Sequence, residues 1–428
     1  MQLIVEETKT LEGEILIPAS KSHTIRALII SAMASGNSIL VNPLLSEDTK
    51  AAINACRAIG AEIGEEDGKL FVAGCAGKMQ VPDKPLNMLN SGTSTNLIMG
   101  ILAALGIEAE ITGDDSLCSR PVKALANALS ALGCRIEFLR KEGCPPLRLS
   151  GRMQGGRITL DASKSSQYVS SLLIATPLIE ADTEIEVINA TELPYIEMTL
   201  AWLDEQGIRY ERDGFRCFRV FGRQSYQPFE KAIPSDWSSA AFPLCAAAVT
   251  DSDLLVKGPD MHDVQGDKAI VDYLSEMGAR ISTDNQGLRV RAKALTGACL
   301  DINATPDALP VLAAVGCLAR GRTKLHNVAQ ARVKETDRIM VMAQELKKMG
   351  ADIEELPDGL IINHCSLRGT RVKGHHDHRV VMALSVAALQ ATGATRISTA
   401  EAVSVTYPDY IESMQKIGAN FKLIEENE

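Results

Sequence analysis

Lys348-Met349-Gly350-Ala351-Asp352-Ile353 reads as the end of a helix, a glycine and the start of a strand. Apolar residues at helical spacing (Ile339, Val341, Met342, Leu346) run into it, and a strand-like apolar residue follows. Glycine at this point is the expected left-handed residue that ends a helix. The same pattern recurs as Ala58-Ile-Gly60-Ala-Glu-Ile63, Ala131-Leu-Gly133-Cys-Arg-Ile136 and Glu205-Gln-Gly207-Ile-Arg-Tyr210. It recurs again as Glu276-Met-Gly278-Ala-Arg-Ile281 and Lys416-Ile-Gly418-Ala-Asn-Phe421. The six glycines lie 68 to 74 residues apart.

A second helical pattern precedes each, starting near Lys21, Ser91, Ser166, Ser238, Asp307 and Asp377. A short strand-like run precedes each of those, at 14–17, 85–89, 156–160, 231–233, 299–302 and 370–372. The repeat therefore reads as strand, helix, strand, helix, then further strands. A unit of this size cannot bury both faces alone, so neighbours must stack. Six units exceed what one core usually holds, so two domains of three units are expected. The expected fold class is α/β (α+β).

The chain has 428 residues, 46% of them apolar and 23% charged, with a net charge of −10. That composition can fill large cores and argues against general nucleic-acid binding. No apolar run approaches a membrane span. The N-terminus reads as a strand without a charged-then-apolar signal, so a cytoplasmic location is expected. Ten scattered cysteines, none in a Cys-x-x-Cys pair, suggest reduced thiols.

Charge concentrates in Arg332-Val333-Lys334-Glu335-Thr336-Asp337-Arg338. If this run is helical, Lys334, Glu335 and Arg338 share a face, as residues three and four apart do. Two cations and a carboxylate aimed one way suit an anionic substrate that needs a proton moved. The run also reads as a solvated helix start. The first helices of the repeats favour the first reading. Lys21, Arg26 and Arg379 lie near helix N-termini, which disfavour cations by ~0.3–1 kcal/mol each unless an anion binds there. Asn90-Ser-Gly-Thr-Ser-Thr-Asn96 is phosphate-loop-like but lacks the Gly-x-x-x-x-Gly-Lys spacing. His375-His376-Asp377-His378 offers alternating faces rather than a metal set.

Several segments resemble the enolpyruvyl transferase family, in order along essentially the whole chain. They are Pro18-Ala-Ser-Lys21-Ser22-x-x-x-Arg26, Asn90-Ser-Gly92-Thr93, Gly113-Asp-Asp-Ser-Leu with Arg120-Pro121, Ser165-Ser166-Gln167, Arg332–Arg338 and Asp377-His378-Arg379. The resemblance implies two domains, each a pseudo-threefold array of β-α-β-α-β-β units. One would comprise 1–18 and 236–428 and the other 19–235, with crossings near 18–20 and 234–237. It implies transfer of the enolpyruvyl group of phosphoenolpyruvate to the 5-hydroxyl of shikimate 3-phosphate. Phosphate is released by addition and elimination in an interdomain cleft, on the route to aromatic amino acids, with no metal or organic cofactor. A monomer with no nucleic-acid or membrane partner is expected.

By resemblance, Lys21, Gly92, Arg120, Gln167, Arg338 and Arg379 would hold phosphoenolpyruvate. Lys21, Ser22, Arg26, Ser165, Ser166, Gln167, Tyr195, Asp307 and Lys334 would hold shikimate 3-phosphate. Asp307 and Glu335 would share the proton transfers, with help from Lys21. Four positions depart from the family pattern. Ala19 replaces a glycine, Asn96 an arginine, Glu192 a serine and Val405 a lysine. These departures bear on acceptor identity and inhibitor sensitivity. They leave two alternatives: a non-catalytic homologue that binds an anionic metabolite, and transfer to another acceptor such as UDP-N-acetylglucosamine. Cys118 lies where the latter's reactive loop would fall.

Overall fold

The computed structural model describes residues 1–291 and 294–425. The chain divides into two compact units, Ala19–Ile233 and Met1–Pro18 with the residues from Pro234 onward. Twelve α-helices occur among the described residues. In Ala19–Ile233 they are α1 (Lys21–Ala32), α2 (Glu47–Ala58), α3 (Gly92–Leu105), α4 (Lys123–Ala131), α5 (Gln167–Ala175) and α6 (Leu193–Glu205). In the other unit they are α7 (Trp237–Val249), α8 (Ile270–Glu276), α9 (Leu309–Leu318), α10 (Arg338–Lys348), α11 (His378–Ala388) and α12 (Tyr410–Lys416).

Six four-stranded sheets accompany them. Each has one order: an edge strand pairs in parallel with the next strand, and two further strands follow antiparallel. In the second sheet, Leu86–Asn87 runs parallel to Ala109–Thr112, which pairs with Leu147–Ser150, which pairs with Arg135–Phe138. This is the β-α-β-α-β-β unit. All six repeat glycines have positive φ, from 66° at Gly207 to 113° at Gly60, as the cap reading requires.

Two strands do not pair within the repeat whose first helix they precede. The strand Glu12–Leu16 precedes α1 yet pairs with Asp253–Lys257. Glu230–Ala232 precedes α7 yet pairs with Asn37–Val41. The chain passes from one unit to the other directly after each strand, so each strand stays with the sheet behind the crossing. The N-terminal strand Gln2–Val5 likewise fills the last sheet, between Thr395–Ser398 and Phe421–Ile424.

The first helices of the repeats form the interior. Every residue of α11, and all of α9 but Leu318, is buried. A helix apolar on all sides must be covered on all sides. Accordingly α7, α9 and α11 pack on one another, and α3 packs on α1 and α5. Ser20, Ser91, Asp236 and Asp377 cap α1, α3, α7 and α11, each accepting a hydrogen bond from a main-chain amide. These caps fix where the polar openings of the central helices begin.

Candidate active site

In Ala19–Ile233 the polar helix openings form one chain of contacts. Lys21 pairs with Asp48 of α2 at 3.0 Å, and both side chains are largely buried. Arg26, one turn further along α1, is wholly buried. Its guanidinium donates to Thr199 Oγ1 (2.9 Å), Ser170 Oγ (3.3 Å) and the carbonyls of Ser22 and Tyr195 (both 3.1 Å). No carboxylate pairs with it among the described residues. Burial pulls its pKa down to about 10, with Tyr195 opposing. A buried cation held only by neutral acceptors is costly unless an anion joins it.

Tyr195 leads on to Glu192, whose carbonyl accepts the Tyr195 amide at 3.0 Å. The Glu192 carboxylate accepts from Ser166 Oγ at 2.9 Å. Ser165 Oγ accepts the Gln167 amide (3.1 Å), and Gln167 Nε2 donates to Thr93 Oγ1 (2.9 Å). Asn96 Nδ2 donates to Gln167 Oε1 (2.8 Å) and to the Gly92 carbonyl (3.0 Å). Asn96 Oδ1 is buried without a hydrogen-bond partner among the described residues. A Cβ on Gly92 would lie 3.2 Å from Arg120 Nη1, so glycine there leaves room for a group to approach the guanidinium. Arg120 donates to Asn90 and to Ser116 Oγ (3.1 Å). Glu192 thus joins Tyr195 to Ser166, and Asn96 joins Gln167 to Gly92; both are positions where the sequence departs from the family pattern.

In the other unit the charged stretch does not form one helical turn. Residues Ala329–Val333 are a 3₁₀ turn, residues 334–337 are non-helical, and α10 begins only at Arg338, with Asp337 as its cap. Asp337 is also held by Arg332 at 2.7 Å, which competes with a continuous helix. Arg338 is completely buried and binds three carboxylates. Nη1 reaches Asp307 at 2.7 Å, Nη2 reaches Glu335 at 2.6 Å, and Nε and Nη2 reach Asp377 at 2.8 and 3.1 Å. Arg379 meets the other Asp307 oxygen at 2.9 Å and Ser238 Oγ at 3.0 Å.

Burial alone would lower the Arg338 pKa, but Asp377, Glu335 and Asp307 outweigh it and hold arginine above its usual range. Burial alone would raise the Asp307 carboxyl. Arg379, Arg338 and Lys334 outweigh it and hold it well below the usual carboxylate range, with Glu335 opposing. Asp307, Lys334, Glu335, Arg338 and Arg379 thus share one electrostatic cluster, drawn from the openings of α9, α10 and α11. It can present a donor-rich surface to an anion and carboxylates to a transferable proton. Val405 is buried at the end of the 3₁₀ segment Ala400–Val405.

Two partners escaped the sequence reading. Asp48 lies in the first turn of α2, where an acid is ordinary, and only its burial marks it. Asp377 was legible as a helix cap but not as the bidentate partner of a residue 39 positions away. No helix among the described residues is long and apolar enough to cross a membrane. No group of three or more His, Cys, Asp or Glu among them is arranged to hold a metal.

A family model described as EPSP synthase (3-phosphoshikimate 1-carboxyvinyltransferase) matches residues 5–414. A 3-phosphoshikimate 1-carboxyvinyltransferase of Acetivibrio thermocellus is 45% identical over 99% of this chain and 100% of its own length. One of Ruminiclostridium cellulolyticum is 44% identical over 97% and 98%. The solved EPSP synthase of Acinetobacter baumannii superposes with a TM-score of 0.84 at 28% identity, over 99% of this chain and all of that one.

Proposed function

The chain belongs to the EPSP synthase family, and from that premise we propose how its two clusters carry out the family's reaction. It is an enzyme of the shikimate pathway that transfers the enolpyruvyl group of phosphoenolpyruvate to the 5-hydroxyl of shikimate 3-phosphate and releases phosphate. In the addition step the hydroxyl oxygen bonds to C2 of phosphoenolpyruvate, loses its proton, and the methylene carbon gains one. In the elimination step that carbon gives a proton back and phosphate leaves C2.

Phosphoenolpyruvate is held by Lys21, Gly92, Arg120, Gln167, Arg338 and Arg379. Shikimate 3-phosphate is held by Lys21, Ser22, Arg26, Ser165, Ser166, Gln167, Tyr195, Asp307 and Lys334. Asp307 and Glu335 share the proton transfers, and Lys21 supports protonation or phosphate departure. The proposal calls on no metal or organic cofactor, and on a single chain working in the cytoplasm.

The observation that carries the assignment is the ion cluster at Arg338. Asp307 and Glu335 are held on arginine donors in this structure. The carboxylate and phosphate of the donor would compete for those donors. A carboxylate released from an arginine becomes a stronger base, because the opposite charge that depressed its pKa is then shared with the substrate. Two multiply charged substrates also repel, and buried guanidinium groups offset that repulsion best where water is excluded.

The test is phosphate release with phosphoenolpyruvate and either shikimate 3-phosphate or UDP-N-acetylglucosamine, followed by phosphorus NMR. Phosphate and one enolpyruvyl ether should appear in equal amounts with the first acceptor only. Release with the second acceptor, or tight binding of both substrates with no release, would overturn the assignment.

A further inference from the structure

Two carboxylates sit on proposed substrate-binding residues of Ala19–Ile233. Asp48 pairs with a cation, Lys21. Glu192 takes up hydrogen-bond donors of Ser166: one of its oxygens accepts from Ser166 Oγ at 2.9 Å and from the Ser166 amide at 3.4 Å. Ser166 is the residue from which α5 departs, so these donors stand at a helix N-terminus, where anions are favoured. Glu192 is only 2% exposed, and its backbone is left-handed with φ of 54°. A non-glycine residue accepts that conformation only when its surroundings hold it there. The buried Arg26 belongs to the same contact chain through Tyr195, and no carboxylate pairs with it among the described residues.

We propose that Glu192 is an internal stand-in for the phosphate of the acceptor: it holds the donors of Ser166 and must yield them when that phosphate binds. This rests on the assignment of Ser166 to shikimate 3-phosphate. A carboxylate and a phosphate dianion cannot share one hydroxyl and one amide without strong repulsion. Glu192 therefore lowers acceptor affinity and sets how selectively the site takes a phosphorylated acceptor. The opposing possibility is that Glu192 only caps α5, as an acidic group at a helix start does.

Calorimetric titration of shikimate 3-phosphate into wild type, Glu192→Ser and Glu192→Gln separates these roles. Glutamine keeps the shape and an accepting oxygen but removes the charge. Acceptor affinity should rise at least tenfold in Glu192→Ser and severalfold in Glu192→Gln, while both melt at a lower temperature. Affinity for unphosphorylated shikimate should change less than twofold. If both variants melt lower but bind shikimate 3-phosphate no more tightly than wild type, Glu192 is only a cap and the inference fails. Weaker binding would make Glu192 a supporting residue and also overturn it. If wild type itself neither binds shikimate 3-phosphate nor turns it over, the parent assignment fails and takes this one with it.

Discussion

Arg338 is bound to Asp307, Glu335 and Asp377 and has no contact with solvent. Removing one partner of such a set leaves uncompensated buried charge, which typically costs about 3–5 kcal/mol. Arg338→Ala is therefore expected to lower the melting temperature markedly as well as to weaken donor binding. Arg338→Lys keeps a charge but loses the fork that meets three acids at once. For it the KM for phosphoenolpyruvate should rise far more than the KM for shikimate 3-phosphate, with a smaller drop in melting temperature. Equal rises in both constants would remove Arg338 from the donor. At this scale the sequence was informative about residue types and poor about partners. Lys334, Glu335 and Arg338 stood out as a charged run, but a shared helical face was the wrong reason for their proximity. Asp307 and Asp377 gather around Arg338 through tertiary packing, which no local spacing encodes.

The element that presents this cluster is α10 together with the turn before α11. Glu345, seven residues after Arg338 and so two turns along the same face, is almost fully buried. It accepts from the Lys373 amide at 2.9 Å, His375 Nε2 at 2.7 Å and Lys348 Nζ at 2.7 and 2.8 Å. His375 and His376 are consecutive left-handed residues, with φ of 55° and 54°, and the next residue is Asp377. One helix thus supplies both the arginine and the carboxylate that pins the strained turn carrying the arginine's partner. Replacing Glu345 with alanine leaves the Lys373 amide and His375 without their acceptor. The expected loss is about 1–3 kcal/mol of stability, read by denaturant unfolding. The KM for phosphoenolpyruvate should also rise, because Asp377 loses its register. A stability loss with unchanged donor KM would limit Glu345 to a structural part. The helix ends were legible here, since Gly350 and Asp377 are ordinary cap residues in ordinary places. The histidine turn was not, because φ > 0 at histidine is imposed by Glu345 and Thr399 from outside the segment.

Among the described residues six sheets share one strand order, and the period of the cap glycines makes that number readable from the sequence. The local repeat alone misassigns two strands, because proximity along the chain favours pairing Glu12–Leu16 and Glu230–Ala232 with the repeats that follow them, whereas domain bounds of 1–18 and 19–235 leave each on the side of the crossing where it pairs. One consequence is asymmetric. All twelve strands of the three sheets in Ala19–Ile233 come from within that segment, whereas the other unit needs Gln2–Val5 and Glu12–Leu16. A fragment of residues 19–233 should therefore melt cooperatively by calorimetry, and a fragment starting at 234 should not. A cooperative transition in the second fragment would contradict the strand assignment. For the full chain, phosphate release at saturating phosphoenolpyruvate and shikimate 3-phosphate, compared between wild type and Glu335→Gln, decides whether the cluster at Arg338 does chemistry or only holds ligand. Proton transfer is typically worth ~10²–10⁴-fold in rate. Turnover in Glu335→Gln should fall at least about a hundredfold, while calorimetric affinity for shikimate 3-phosphate stays within about tenfold. A variant that turns over within about tenfold of wild type, or a wild type that binds both substrates and releases no phosphate, would contradict it.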